Sequence, residues 1–474
     1  MRSLHLPFEI MNNTAAEYPK IASKNQTLSV IAYLVFFSFL NFLLISRGIG
    51  ALFEFPYFLV LVIPYFWLTL KAPELGLAVY LVFLLSGIKT LSASNGDSIS
   101  LSILLLICLV FAWILHFVRS NKILGLKDPI SILIFLYIGA NFVNTLLRRS
   151  PLDSQEEVSI KTLSMILLLY LFSISFLNSQ TRILRIFRSF LFLSCIWFAM
   201  SLFHILRFGI EGVYLRTGSE GGYLGDIVGM NSLAVSALTI LPFVYFQLSL
   251  KQRPFWRILS RISLALLIST VILSLSRNGF VNLIIVLAFL FFREKKSPRI
   301  WGMVAVLLII ILLTPQQYWT RIFSTSGIES YQLDIGVGIK TKWAYIQNAF
   351  GIVARSPLVG IGTGKLERSV HNSVLQVAVE LGLPAMILYL TMILVAFREL
   401  RKMQRHPRAD SPESLSQLPY MMMIGLVAYM IGGLTISIHI FPLLFVILAL
   451  TTVTKSLGSD QAISHHGALV YSPK

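Results

Sequence analysis

A chain of 474 residues that is 56% hydrophobic and 13% charged, with a mean hydropathy of +0.78, is too apolar for a water-soluble globular protein. Its formal charge of +18 does not indicate a nucleic-acid partner, because the basic residues sit in short clusters between apolar runs and read as topology signals. The two cysteines, Cys108 and Cys195, each lie inside an apolar run like small buried hydrophobes, with neither a disulfide framework nor metal-ligand spacing.

Residues 1–27 are polar with both charge signs and do not read as a cleaved signal; they form an N-terminal tail. Apolar runs of roughly 15 to 25 residues follow, about fourteen in all, and about 20 residues suffice for a helical span. The expected spans are 28–46, 51–70, 74–90, 99–118, 129–147, 160–177, 186–206, 230–250, 260–276, 279–292, 299–313, 373–397, 418–436 and 437–454. Glu54, Pro56 and Pro64 in the second run, and the tight turn between the last two, leave a count of 12 or 13 open. Strand-like alternation is absent, so the fold class is all-α: a polytopic transmembrane bundle of 12–14 spans with one large external loop containing short helices. The expected division is a tail at 1–27, N-terminal spans over 28–206, a second membrane region over 207–454 with its loop at 314–372, and a disordered tail at 455–474. His465 and His466 in that tail are weak evidence for a metal site and are discounted.

Orientation follows from the clusters at 119–127, 182–188, 251–261, 293–299 and 398–408, which occupy alternate loops. With Lys71 and the two termini they place 25 of the 39 Lys and Arg on one side and 14 on the other. The positive-inside rule makes the richer side cytoplasmic and keeps both termini inside. The segment 314–372 is then external, where ATP and nucleotide sugars are absent, so chemistry there needs a donor already activated in the membrane. No Walker motif or nucleotide fingerprint appears. Gly360-Ile361-Gly362-Thr363-Gly364 has no preceding strand and no Lys-Ser/Thr helix after it, which argues against a phosphate loop. Residues 339–354 read as an amphipathic helix with Trp343, Ile346, Phe350 and Val353 on one stripe, either a plain surface helix or one lying in the membrane interface.

The chemistry-bearing candidates fall on the external side. His371, where a polar Pro/Gly-rich segment enters an apolar helix, can exchange protons near neutral pH without a charge in hydrocarbon; the alternative is a simple cap. As part of the helix, it would share a face with Leu375, Ala378 and Gly382, while Glu380 lies nearly opposite, about 13 Å further along. Glu380 is therefore too distant to orient His371 and is expected to pair with a polar group on a neighbouring helix. Arg277, in Leu275-Ser276-Arg277-Asn278-Gly279, either snorkels to headgroups or offers a guanidinium fork to a phosphate. Arg216 precedes a glycine-rich stretch that leads to Asn231, a candidate helix cap; Arg216 reads equally well as an ordinary loop arginine. Arg321, Lys340, Lys342, Arg355, Lys365 and Arg368 make 314–371 basic, which suits an anionic lipid head, a diphosphate, or a solvated face beside a membrane. No Ser/His/Asp set, carboxylate pair or HExxH-type motif stands out.

Ser276-Arg277-Asn278-Gly279 resembles the S-R-G-type turn of the O-antigen ligase and polymerase superfamily. Pro357-Leu358-Val359-Gly360-Ile361-Gly362 resembles its P-L-x-G-x-G segment, and His371-Asn372 followed by Gly382 matches its H-N-x9-G motif. The resemblance covers about 207 to 450, the N-terminal spans agreeing in kind only. Ala385 stands where the family often has Gly, Thr or Tyr. Lys340 stands near a position commonly held by arginine, with Arg321 as a substitute for that contact. The resemblance implies inverting glycosyl transfer at the bacterial inner membrane, outside the cytoplasm. The donor would be a glycan on undecaprenyl diphosphate, and the acceptor a sugar hydroxyl of another glycan or lipid-linked sugar. His371 would be the general base, with Asn372, Asn231 and Gly382 supporting the site. Arg277, Arg216, Arg321 and Lys340 would hold the diphosphate, with no cofactor and no metal required. A chain-length regulator or other polysaccharide assembly proteins are the protein partners implied. The motifs do not separate ligase from polymerase. The rival classes are a transporter or flippase, which usually shows internal repeats and mid-membrane charges, and a non-catalytic assembly subunit.

Overall fold

The structure is a computed structural model. It describes residues 54–85, 101–120, 125–147, 154–215, 230–250, 252–274, 276–294, 298–313, 316, 319, 339–363, 365–366, 369–405 and 416–470. The chain divides into Met1–Tyr57 and Phe58–Lys474. Of the first unit only the opening residues of a helix are described, and the packing of the helices is that of the second.

The described elements are all helices: α1 Glu54–Lys71, α2 Pro73–Leu85, α3 Leu101–Ser120, α4 Pro129–Leu147, α5 Ser154–Phe176, α6 Gln180–Leu215, α7 Met230–Ser249, α8 Pro254–Leu273, α9 Arg277–Glu294, α10 Pro298–Leu313, α11 Ile339–Arg355, α12 Ser373–Arg405, α13 Leu418–Gly433 and α14 Pro442–Val470. Five of them open on proline, whose fixed φ suits the first helical position and whose missing N–H is not needed there. Each expected span but one has a helix on it; the exception, 28–46, lies outside the described residues. Several boundaries differ from expectation: α5, α6 and α8 each begin six residues early, at Ser154, Gln180 and Pro254, and α6 and α12 run on to Leu215 and Arg405. Residues 434–441 form a non-helical turn, so the last helix begins at Pro442 and not at 437. That helix then runs on to Val470, through much of the stretch expected to be a disordered tail.

Among the described residues, four helical stretches are long and apolar enough to cross a membrane: Gln180–Phe203, Asn231–Ser249, Pro254–Leu273 and Ser373–Arg405. Shorter apolar helices accompany them. On α3, Ile103, Ile107, Phe111, Ile114 and Val118 recur at helical spacing and are all exposed, an apolar face that belongs in lipid. α7 is the opposite case. From Leu233 to Phe246 every residue is buried, and α6, α8, α9 and α13 pack around it. The packing is close because a Cβ on Gly432 of α13 would lie 2.4 Å from Val235, and one on Gly279 of α9 would lie 2.7 Å from Ala234.

Polar ties gather at two ends of the bundle. At one end Lys455 bonds Asp128 at 2.7 Å and Glu399 at 3.0 Å, and Arg182 and Arg185 pair with buried Glu74. At the other end Asn144 donates to the Val359 carbonyl and Asn372 to that of Leu434. α4 runs from beside Asp128 to Asn144, and α12 from beside Asn372 past Glu399, so each helix joins the two sets.

Candidate active site

Two glycine motifs, separate in sequence, form one piece of structure. α12 breaks at Gly382, where φ is 84° and ψ 172°, ahead of Pro384, which has no N–H to donate. The break frees carbonyls in the first half of the helix, and the preceding loop takes them. Ile361 N donates to Val379 O and Gly362 N to Glu380 O, each at 2.8 Å, while Leu383 N donates to Pro357 O at 2.7 Å. The contact has no room for side chains. A Cβ on Gly360 would sit 2.4 Å from Val379 O, and one on Gly382 would sit 2.4 Å from Leu358 O; both residues also have positive φ. The Gly360–Gly364 stretch is thus, in its described part, a backbone strap across a helix break.

The strap fixes the start of α12. Asn372 caps the helix, its Oδ1 accepting Leu375 N at 3.0 Å, while its Nδ2 donates to Leu434 O at 3.2 Å. His371 precedes this cap in left-handed backbone, φ 57°, the only non-glycine positive φ among the described residues. It is therefore outside the helix, and the face shared with Leu375 and Ala378 that a helical projection gives it does not apply. Its N–H donates to Ser369 Oγ at 3.3 Å, and its ring lies 6.1 Å from that of Tyr345 on α11, tilted by 31°.

Beneath His371, Gln376 gathers the polar groups. Its Oε1 accepts Val370 N at 2.9 Å and Ser437 Oγ at 3.1 Å, and its Nε2 donates to Glu380 Oε1 at 2.5 Å. Ser369 Oγ donates to Ser437 Oγ at 2.7 Å, and Ser373 Oγ links Ile436 O and Ile438 N. Glu380, which the sequence leaves looking for a polar partner, lies 3.3 Å from buried His439 Nε2. That partner is in the 434–441 turn, where local pattern gave no sign of it.

Arg277 is the first residue of α9, and its side chain is exposed. Ser276 caps this helix: its Oγ accepts Gly279 N at 3.0 Å and its carbonyl accepts Phe280 N at 2.9 Å. Asn278 Nδ2 donates to Gly432 O at 3.5 Å and Asn282 Nδ2 to Ala428 O at 2.7 Å, which fastens α9 along α13. The chain neighbours of Arg277 and His371 thus reach carbonyls two residues apart, Gly432 and Leu434. Both candidates stand at one end of the bundle.

Asn231 is at that end too, since Ala234 and Val235 of α7 are the contacts of Gly279 and Gly432. α7 starts at Met230, so Asn231 sits inside the first turn, exposed, and not ahead of the helix as a cap. The N-termini of α7, α9 and α12 converge here, and the positive ends of their helix dipoles favour a bound anion. Arg216 and Arg321 lie outside the described residues, as does the side chain of Lys340.

α11 covers the loop. Ala349, with Ile352 and Val353, packs on a small core with Val370 and Val379, while Trp343 and Phe350 are 60% and 61% exposed. The single stripe expected of this helix is instead two apolar faces, with Val353 on the packed one. Between α11 and residues 361–370 is a cavity of about 330 Å³, lined by Tyr345, Asn348, Ala349, Ile352, Ile361, Lys365, Leu366 and Val370.

Residues 262–390 match a family model described as O-Antigen ligase. The matched segment runs from α8 into α12 and contains Arg277, the glycine strap, His371, Asn372 and Gly382. No curated protein matches the chain. The match supports assignment to the O-antigen ligase superfamily, and with it membrane glycan transfer of the ligase or polymerase type.

Proposed function

From the match of residues 262–390 to the O-antigen ligase family model, we propose that the protein transfers a glycan from an undecaprenyl-diphosphate carrier to a sugar hydroxyl, on the external face of the bacterial inner membrane, with both termini in the cytoplasm. The observation that carries this reading is the convergence of the His371 and Arg277 loops on the Gly432–Leu434 carbonyls.

The acceptor oxygen attacks the anomeric carbon as His371 accepts its proton, and the bond from that carbon to the diphosphate oxygen breaks. The electron pair leaves with the undecaprenyl diphosphate, so one glycosidic bond forms, one breaks, and the anomeric configuration inverts. Arg277, with Arg216, Arg321 and Lys340 as the further cations the sequence offers, stabilises the charge growing on the leaving group. A base of this kind contributes roughly 10²- to 10⁴-fold in rate. Chemistry on this face suits a donor carried in the membrane, and the basic excess of 314–371 suits its diphosphate.

The test uses a strain lacking the gene, in which lipid-linked glycan is expected to accumulate and long surface glycan to disappear. The wild-type gene restores the surface glycan, and His371→Ala does not at equal membrane protein level. Full restoration by His371→Ala overturns the assignment.

A further inference from the structure

The His371 loop has two flanks. Ser369, Asn372 and Ser373 bond to the 434–438 turn, on whose neighbouring helix end Asn278 holds the Arg277 loop. Val370 and His371 face α11 instead: Val370 lines the cavity, and Tyr345, which also lines it, is the aromatic neighbour of the His371 ring. A direct displacement needs the entering oxygen and the leaving group on opposite sides of the anomeric carbon. With the cation on the turn flank, the entering oxygen comes from the α11 flank.

We propose that the cavity between α11 and residues 361–370 is the acceptor subsite, taking a pyranose ring of the acceptor glycan; this rests on the reading of His371 as the base. Its volume, about 330 Å³, is at the lower edge of the roughly 300–1,000 Å³ typical of small-ligand sites and suits about one or two sugar rings. Its walls have the composition such a ligand requires. Ala349, Ile352, Ile361 and Leu366 give apolar surface, and Tyr345 gives a ring face whose partial negative charge attracts the C–H face of a pyranose. Asn348 and Lys365 supply hydrogen-bond donors for hydroxyls, and Asn348 an acceptor as well. A sugar seated there presents its outer hydroxyl past Tyr345 to His371. Acceptor choice then depends on Tyr345, Asn348 and Lys365, while donor binding depends on Arg277 of the other flank.

The experiment uses the full chain in lipid nanodiscs. The donor is labelled lipid-linked glycan extracted from the gene-deleted strain, and the acceptor is that strain's glycolipid fraction, each varied in turn. Tyr345→Ala and Asn348→Trp, which remove the platform and fill the cavity, are expected to raise the half-saturating acceptor concentration at least tenfold and to leave that of the donor unchanged. Gln347→Ala, an exposed neighbour outside the cavity, changes neither. Lys365→Ala, on a half-buried loop position, gives the same readout should an α11 variant fail to fold. Unmoved acceptor saturation, or a rise for donor instead, overturns the subsite. Loss of transfer in His371→Ala alongside unmoved acceptor saturation overturns the subsite alone, whereas full transfer by His371→Ala removes the reading beneath it.

Discussion

His371 occupies left-handed backbone one position before the Asn372 cap, so its imidazole is set by the loop and not by the helix after it. Histidine tolerates that conformation better than bulky or β-branched residues do, and holding it there costs about 1–3 kcal/mol, offset by the surrounding bonds. Those bonds pass from Ser369 and Val370 through Gln376 and Ser437 to Glu380, beside which His439 lies. On the other flank Arg277 stands at the first position of its helix, where the Ser276 cap and the Gly279 contact fix the backbone while leaving the side chain exposed. A guanidinium fork can grip a diphosphate through two oxygens, which an ammonium cannot do. Arg277→Lys is therefore expected to lower kcat/KM for the lipid-linked donor by about tenfold, and Arg277→Ala by roughly 10²- to 10³-fold. Wild-type kcat/KM in the alanine variant, measured on purified protein, would show that Arg277 only snorkels.

At the scale of elements, the helix break is what joins the motifs. An unbroken α12 would return the Leu383 N–H to the Val379 carbonyl, and the 357–362 strap would lose both that donor and that acceptor. Gly360→Ala and Gly382→Ala each place a methyl 2.4 Å from a backbone oxygen, in backbone that disfavours a side chain. Strain alone is worth about 1–3 kcal/mol, so both variants are expected to lower the thermal midpoint of detergent-solubilised protein by several degrees. Gly351, mid-helix in α11 with open space around it, is the control: alanine there should leave the midpoint unchanged or raise it slightly, by helix propensity. Unchanged midpoints in the first two variants would contradict the strap. Much of this level was legible in the sequence, since apolar runs, prolines at helix starts and the two glycine motifs mark their own positions. The joining of those motifs was not, because it depends on bonds between Pro357–Gly362 and Val379–Leu383 that no local period encodes. His439 was hidden for the same reason: within an apolar run its pairing with Glu380 has no short-range sign. The helical projection from His371 failed because a single positive φ takes that residue off the helix.

For the whole molecule, a buried α7 with α9 and α13 drawn tightly onto it holds three helix N-termini and one helix C-terminus at the same end of the bundle. Asp128, Glu399 and Lys455, which adjoin the basic clusters at 119–127 and 398–408 and the C-terminal stretch, meet one another at one end of the bundle. The convergence of Arg277 with His371 is the part the sequence left open, since it depends on how α9 and α12 both reach α13. The proposed reaction is a single displacement in which His371 takes the proton and Arg277, with the further cations proposed above, receives the diphosphate. The most direct measurement is a single-turnover transfer by purified protein in nanodiscs, with donor glycan carrying 13C at its anomeric carbon and the new linkage read by NMR. The expected result is one new glycosidic bond of inverted configuration from the wild type and none from a folded His371→Ala variant. Retained configuration, or equal product from that variant, would contradict a His371-assisted displacement.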